Sequence, residues 1–224
     1  MYYALASFPK VDTVLIDRIR RKYDPTVDLI EPHLTVVFPL PESLGKWELV
    51  RHFAGVLQEW RAFTVAAGQL VKSPDHWLLL TLRQGASVVT KLYQDLYSGF
   101  LGDFARPEIF QPHIGLGHFL KAGRNSDWNN PSEADFDEDR YAQALREVKE
   151  LDLELSWVID SLDLVELPDV VIAWARGTLP SYPHGARAMR TERFHLGPLT
   201  TTAHNPANRA DGNRKQRGSR RSSA

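Results

Sequence analysis

Apolar and polar positions alternate along this chain in two rhythms, one of period two and one near 3.6, and the switches between them predict the elements. Residues 2–8 (YYALASF) read as a strand closed by Pro9. Val14, Leu15 and Ile19 then recur at helical spacing, predicting a helix over about 11–22. Asp17, Arg18, Arg20 and Arg21 lie off that apolar stripe and are assigned to a solvated face. Asp24-Pro25 breaks the helix, and a loop delivers a strand at 32–38. A long amphipathic helix is expected over 42–60, with Leu49, Phe53, Val56, Leu57 and Trp60 on one side. Strands at 63–71 and 76–82, joined by a turn at Ser73-Pro74-Asp75, and a helix over 87–100 come next. After another strand at 112–119 and a polar loop over 122–135, a helix is expected at 138–150. Strict alternation predicts strands at 151–159 and 161–167, and a returning antiparallel strand at 170–179 across Pro168-Asp169.

Two of the predicted strands share an outline. Pro32-His33-Leu34-Thr35-Val36-Val37-Phe38 is echoed eighty residues later by Pro112-His113-Ile114-Gly115-Leu116-Gly117-His118-Phe119. Strand alternation places His33, Thr35 and Val37 on one face and Leu34, Val36 and Phe38 on the other. The same count groups His113 with Gly115 and Gly117, and turns Ile114, Leu116 and His118 away. A single histidine at the head of a strand is more often structural than catalytic. Its duplication changes the balance, because two imidazoles titrating near neutrality can share a reaction, one taking a proton while the other gives one. Thr35, facing the same way as His33, can offer its hydroxyl to a phosphate oxygen.

These residues resemble the two-histidine phosphoesterases, the superfamily that includes bacterial RNA 2′-5′ ligases and 2′,3′-cyclic nucleotide phosphodiesterases. Its mark is a pair of His-x-Thr/Ser motifs between apolar flanks. His33-Leu34-Thr35 matches it fully, while His113-Ile114-Gly115 keeps the histidine, the preceding proline and the flanks but has Gly in the hydroxyl position. The resemblance covers about residues 1–180. It implies an α+β fold of two pseudo-symmetric lobes, each an antiparallel sheet backed by helices, with a central cleft. It further implies a metal-independent phosphodiesterase without a cofactor, acting on the 2′,3′-cyclic phosphate of a nucleotide or RNA terminus, or running in reverse as a 2′-5′ ligase. His33 and His113 would be its catalytic pair, and Thr35 and Gly115 its substrate-binding positions. Two alternatives stand beside this: a binding module of the same fold without turnover, and metal-dependent hydrolysis, which lacks a third ligand at a recognisable spacing.

Composition narrows the partners. The net charge of −1 conceals nine Lys and Arg against two Asp and Glu from Ser181 onward, leaving 18 basic and 26 acidic residues before it. An acidic body is ill suited to wrapping a nucleic-acid duplex and better suited to a nucleotide or a single RNA end. With no cysteine, neither disulfides nor a thiolate site is available. No apolar run approaches a membrane span, and a cytoplasmic monomer without membrane contact is expected. One domain is assigned to 1–180 and a basic C-terminal extension to 181–224, disordered from about 200. The acidic run at Asp135, Asp137, Glu138 and Asp139 is read as a helix start and not as a metal site. Tyr2, Tyr3 and Phe110 are the candidates for stacking on a base.

Overall fold

The computed structural model describes residues 1–121, 132–176 and 185–199. Two four-stranded antiparallel sheets organise it. The first contains β1 (Tyr2–Ser7), β2 (Leu34–Pro41), β7 (Ser161–Leu167) and β8 (Met189–His195), in the order β2-β1-β7-β8. The second contains β3 (Phe63–Lys72), β4 (Trp77–Gln84), β5 (His113–His118) and β6 (Leu155–Ile159), in the order β5-β4-β3-β6. In each sheet the strand carrying a motif is at the edge, and β2 and β5 contact each other where the lobes meet. The predicted α+β architecture of two helix-backed sheets is thus the observed one.

The helices cross between lobes. Helix α1 (Val14–Tyr23) leaves β1 of the first sheet yet packs on β5 of the second, where it also touches α4 (Glu138–Glu150). Helix α3 (Ala86–Leu96), which follows β4, packs on β2, beside α2 (Lys46–Leu57), which reaches β8. Each helix buries its apolar stripe in a continuous core with Leu5, Leu34, Val36, Leu80, Ile114 and Leu116. Glycine sets two of the helix starts. The predicted helix over 42–60 is a 3-10 turn at Glu42–Leu44 followed by α2, divided at Gly45, whose φ of 76° favours glycine. Gly85 (φ 81°) precedes α3, where a Cβ would come within 2.8 Å of the Val65 side chain.

Two expectations are corrected. The strand expected at 170–179 is not formed where the structure describes it: Asp169–Ala175 is a helix, α5, started by Pro168 and burying Val171, Ile172 and Trp174, and 177–179 lie outside the described residues. An acidic residue in the first turn complements its exposed N–H groups. The antiparallel partner of β7 is instead β8, within the stretch set apart as an extension from 181, and it runs from Ser161↔His195 to Glu166↔Met189. Nor is the charged side of α1 wholly solvated. Arg20 is 2% exposed, with Nε donating to Asp24 at 2.7 Å and Nη2 to the Ile30 carbonyl at 2.8 Å. The expected disorder from 200 lies outside the described residues.

Candidate active site

His33 precedes β2 by one residue and His113 opens β5, so each imidazole stands where its chain enters the edge strand of its lobe. Both are tethered alike. His33 Nδ1 lies 2.8 Å from the carbonyl oxygen of Glu31, and His113 Nδ1 lies 2.5 Å from that of Gln111, in each case two residues upstream. A carbonyl only accepts, so Nδ1 carries the proton in each neutral ring and Nε2 holds the lone pair. The prolines between, Pro32 and Pro112, are buried and fix the turn that brings each carbonyl to its ring.

Electrostatics favours neutral rings. Burial, chiefly, pushes the His33 pKa down to about 3; the Arg20 guanidinium and the neighbouring His113 act in the same sense and Asp24 against them. Burial likewise lowers His113, opposed by its bond to the Gln111 carbonyl and by Asp75. Both rings keep part of their surface open to solvent, which tempers the depression. The charge of one imidazole is felt by the other, as expected where β2 and β5 meet. Phe8 flanks His33 with ring centroids 5.9 Å apart.

Thr35 sits half-buried two residues into the motif, paired with Ala6 of β1. Gly115 pairs with Leu79 of β4. A Cβ built on Gly115 would meet only the Trp77 ring, at 3.5 Å, whereas one on Gly117 would come within 2.6 Å of the Tyr23 Cβ. Gly117 is therefore required by the seat of α1 on β5, and Gly115 is not required by packing. The orientation expected for His118 is corrected here. A register shift leaves Leu116 without a partner between Leu79↔Gly115 and Leu78↔Gly117, so His118 pairs with Trp77 and lies on the face of His113 and Gly115. His118 is still a core residue: it is 4% exposed, stacked on Trp77, edge-on to Trp174 and bound through Nε2 to the Asp75 carbonyl. Burial holds its pKa down to about 4.

Of the stacking candidates, Tyr3 is buried in the core, Tyr2 lies under Arg176, and Phe110 stacks on Tyr93 with centroids 3.9 Å apart. The sequence reading did not single out Phe8 or Arg190 and Arg193 of β8, and it placed Arg20 in solvent. The Arg20-Asp24 spacing of four on α1 was a signal for an ion pair, though not for its burial. Among the described residues no three His, Cys, Asp or Glu side chains gather as a metal site, and no helix is long and apolar enough to cross a membrane.

Two pseudo-symmetric lobes that each present a carbonyl-tethered histidine at the head of an edge strand define a two-histidine phosphoesterase fold. A family model described as the 2′-5′ RNA ligase superfamily matches residues 8–169, and the chain belongs to that superfamily. A Bacillus licheniformis protein, named by inference a phosphoesterase, is 28% identical over 131 residues, 57% of this chain and 76% of that protein. The structure of TT0787 from Thermus thermophilus is similar in fold, with a TM-score of 0.50 at 15% identity, covering 89% of this chain and 100% of the other. The apo structure of Escherichia coli LigT gives a TM-score of 0.49 at 17% identity, covering 88% of this chain and 97% of the other. Membership supports, at a coarse level, an enzyme of phosphodiesterase type.

Proposed function

We propose that the chain hydrolyses 2′,3′-cyclic phosphates of nucleotides or RNA ends, with His33 and His113 as the acid and base. The observation that carries this reading is the matched tether of both rings, which leaves both Nε2 atoms with the lone pair. One neutral Nε2 takes a proton from water as its oxygen attacks phosphorus. The other, protonated, gives its proton to the departing ribose oxygen as the P–O bond breaks. Water is consumed, one ring ends protonated and the other neutral, and exchange with solvent restores the starting state. With a 2′-hydroxyl in place of water the same transfers would join two RNA ends.

Thr35 would donate its hydroxyl to a non-bridging phosphate oxygen, a charge-assisted bond. Gly115 offers no such hydroxyl, so the phosphate would be held by side chain on the His33 side only. A missing bond to a charged group is worth about 1.5–3 kcal/mol, which slows the reaction without removing its proton transfers. The test is turnover of adenosine 2′,3′-cyclic phosphate by the purified protein in the presence of chelator. Metal-independent turnover supports the enzyme. Tight binding without turnover would favour the binding module, and loss of turnover with chelator the metal-dependent reading.

A further inference from the structure

Strand β8 lies beyond the residues matched by the family, and it brings two arginines to the loop that carries His33. Phe8, Glu31, Pro32, Asp163, Arg190 and Arg193 help to wall a cavity of about 420 Å³ there. The cations at this cavity are held differently. Lys10 is paired with Asp160, and Arg193 grips the buried Asp163 through two bonds of 2.6 and 2.9 Å. Arg190 instead lies over the Phe8 ring, 3.6 Å from its centroid, and pairs with Glu31, which is 68% exposed; Asp163 is 3.6 Å from its other nitrogen.

That difference matters for binding. The Phe8 ring, which also flanks His33, seats the guanidinium beside the candidate site. The closer of the two carboxylates facing Arg190, Glu31, is exposed on a loop, and exposed pairs are weak enough to exchange, while the buried Asp163 stands farther off and is held by Arg193. A planar guanidinium with an exchangeable anion is matched to the paired oxygens of a phosphate. Asp17 and Asp163 in the same wall make the cavity suited to one phosphate and not to a polyanionic run.

We infer that Arg190, seated on Phe8, binds a second phosphate ester of the substrate, one other than the cyclic phosphate, in exchange for Glu31. This rests on the cyclic-phosphate reading of His33 and His113. The second phosphate has two sources, the internucleotide link of an RNA end or the 5′-phosphate of a mononucleotide.

The test compares kcat/KM for adenosine 2′,3′-cyclic phosphate, its 5′-phosphorylated form, and the dinucleotide ApA ending in a 2′,3′-cyclic phosphate. The wild-type protein should prefer a phosphate-bearing substrate by about ten- to a hundredfold, the worth of a charge-assisted bond. Arg190→Gln should bring that ratio towards one, and the wild-type ratio should shrink as salt rises. Preference for ApA alone identifies the internucleotide link, and preference for both identifies either phosphate. A wild-type protein that turns over all three without preference, or a preference that Arg190→Gln leaves intact, overturns the subsite. Absence of all turnover overturns the hydrolase reading; the subsite is then read by binding of adenosine 2′-phosphate against adenosine 2′,5′-bisphosphate. Wild-type protein should bind the bisphosphate at least about tenfold tighter, and equal affinities overturn the inference.

Discussion

The indole of Trp77 lies flat on the imidazole of His118, with centroids 4.7 Å apart and planes 12° from parallel. The same indole borders the empty space beside Gly115. The bulge at Leu116 brings His118 to the face that Trp77 and Gly115 share, and the position where the family carries a hydroxyl is here walled by an aromatic ring.

The two motif glycines should therefore respond in opposite ways. Gly115→Ser fits, since its Cβ makes ordinary contact with Trp77, and it should raise kcat/KM on a cyclic nucleotide by about ten- to a hundredfold while leaving the melting temperature nearly unchanged. Gly117→Ala forces a methyl against Tyr23 and should destabilise the fold by about 1–3 kcal/mol in urea unfolding. Equal effects from both substitutions would contradict the bulge at Leu116.

The pH profile follows from the environment of both rings. Burial lowers His33 and His113 below the usual value near 6.5. The general base must be neutral and the general acid protonated, so both limbs of kcat/KM should reflect free-enzyme groups titrating below about 6.5. The rate should be greatest on the acid side of neutrality and fall as pH rises, whichever ring is the acid. An optimum above pH 8 would contradict this.

Stability should depend on the same sign of shift. A histidine whose folded pKa is depressed binds fewer protons than its unfolded counterpart between the two values. For His118, between about 6.5 and about 4, stability should be complete above the upper value and decline as pH falls through the window. Urea titrations at pH 7 and pH 5 measure this, and His118→Phe should flatten part of the difference.

The buried pair behind His33 gives a fourth prediction. Arg20 and Asp24 are each 2% exposed on the side chain, and Arg20 Nη1 finds no hydrogen-bond partner among the described residues. Asp24→Ala leaves a buried guanidinium uncompensated and should cost about 3–5 kcal/mol, whereas the double variant Arg20→Met, Asp24→Leu should recover much of that loss. Chemical denaturation of the three proteins checks it.

How much of this was legible in the sequence varies with the range of the interaction involved. Helix α4 was readable to its bounds because Asp137 caps it, accepting from the Arg140 N–H, and its apolar spacing is regular. The matching places of His33 and His113 at the heads of two strands were readable because both motifs are local and repeated. What failed depended on distant partners. Alternation along β5 could not reveal a bulge that exists only against β4. The apolar run after Pro168 fits a strand or a short helix equally well until β8 takes the place beside β7. Arg20 looks solvated until the Ile30 carbonyl and Asp24 close over it.

The measurement that bears most directly on the paired-histidine account is kcat/KM for a 2′,3′-cyclic nucleotide with chelator present, for wild type, His33→Ala and His113→Ala. The account predicts that each substitution alone lowers the rate by about a hundredfold to ten-thousandfold, with the fold and thermal melt retained. Full activity in either variant would contradict it.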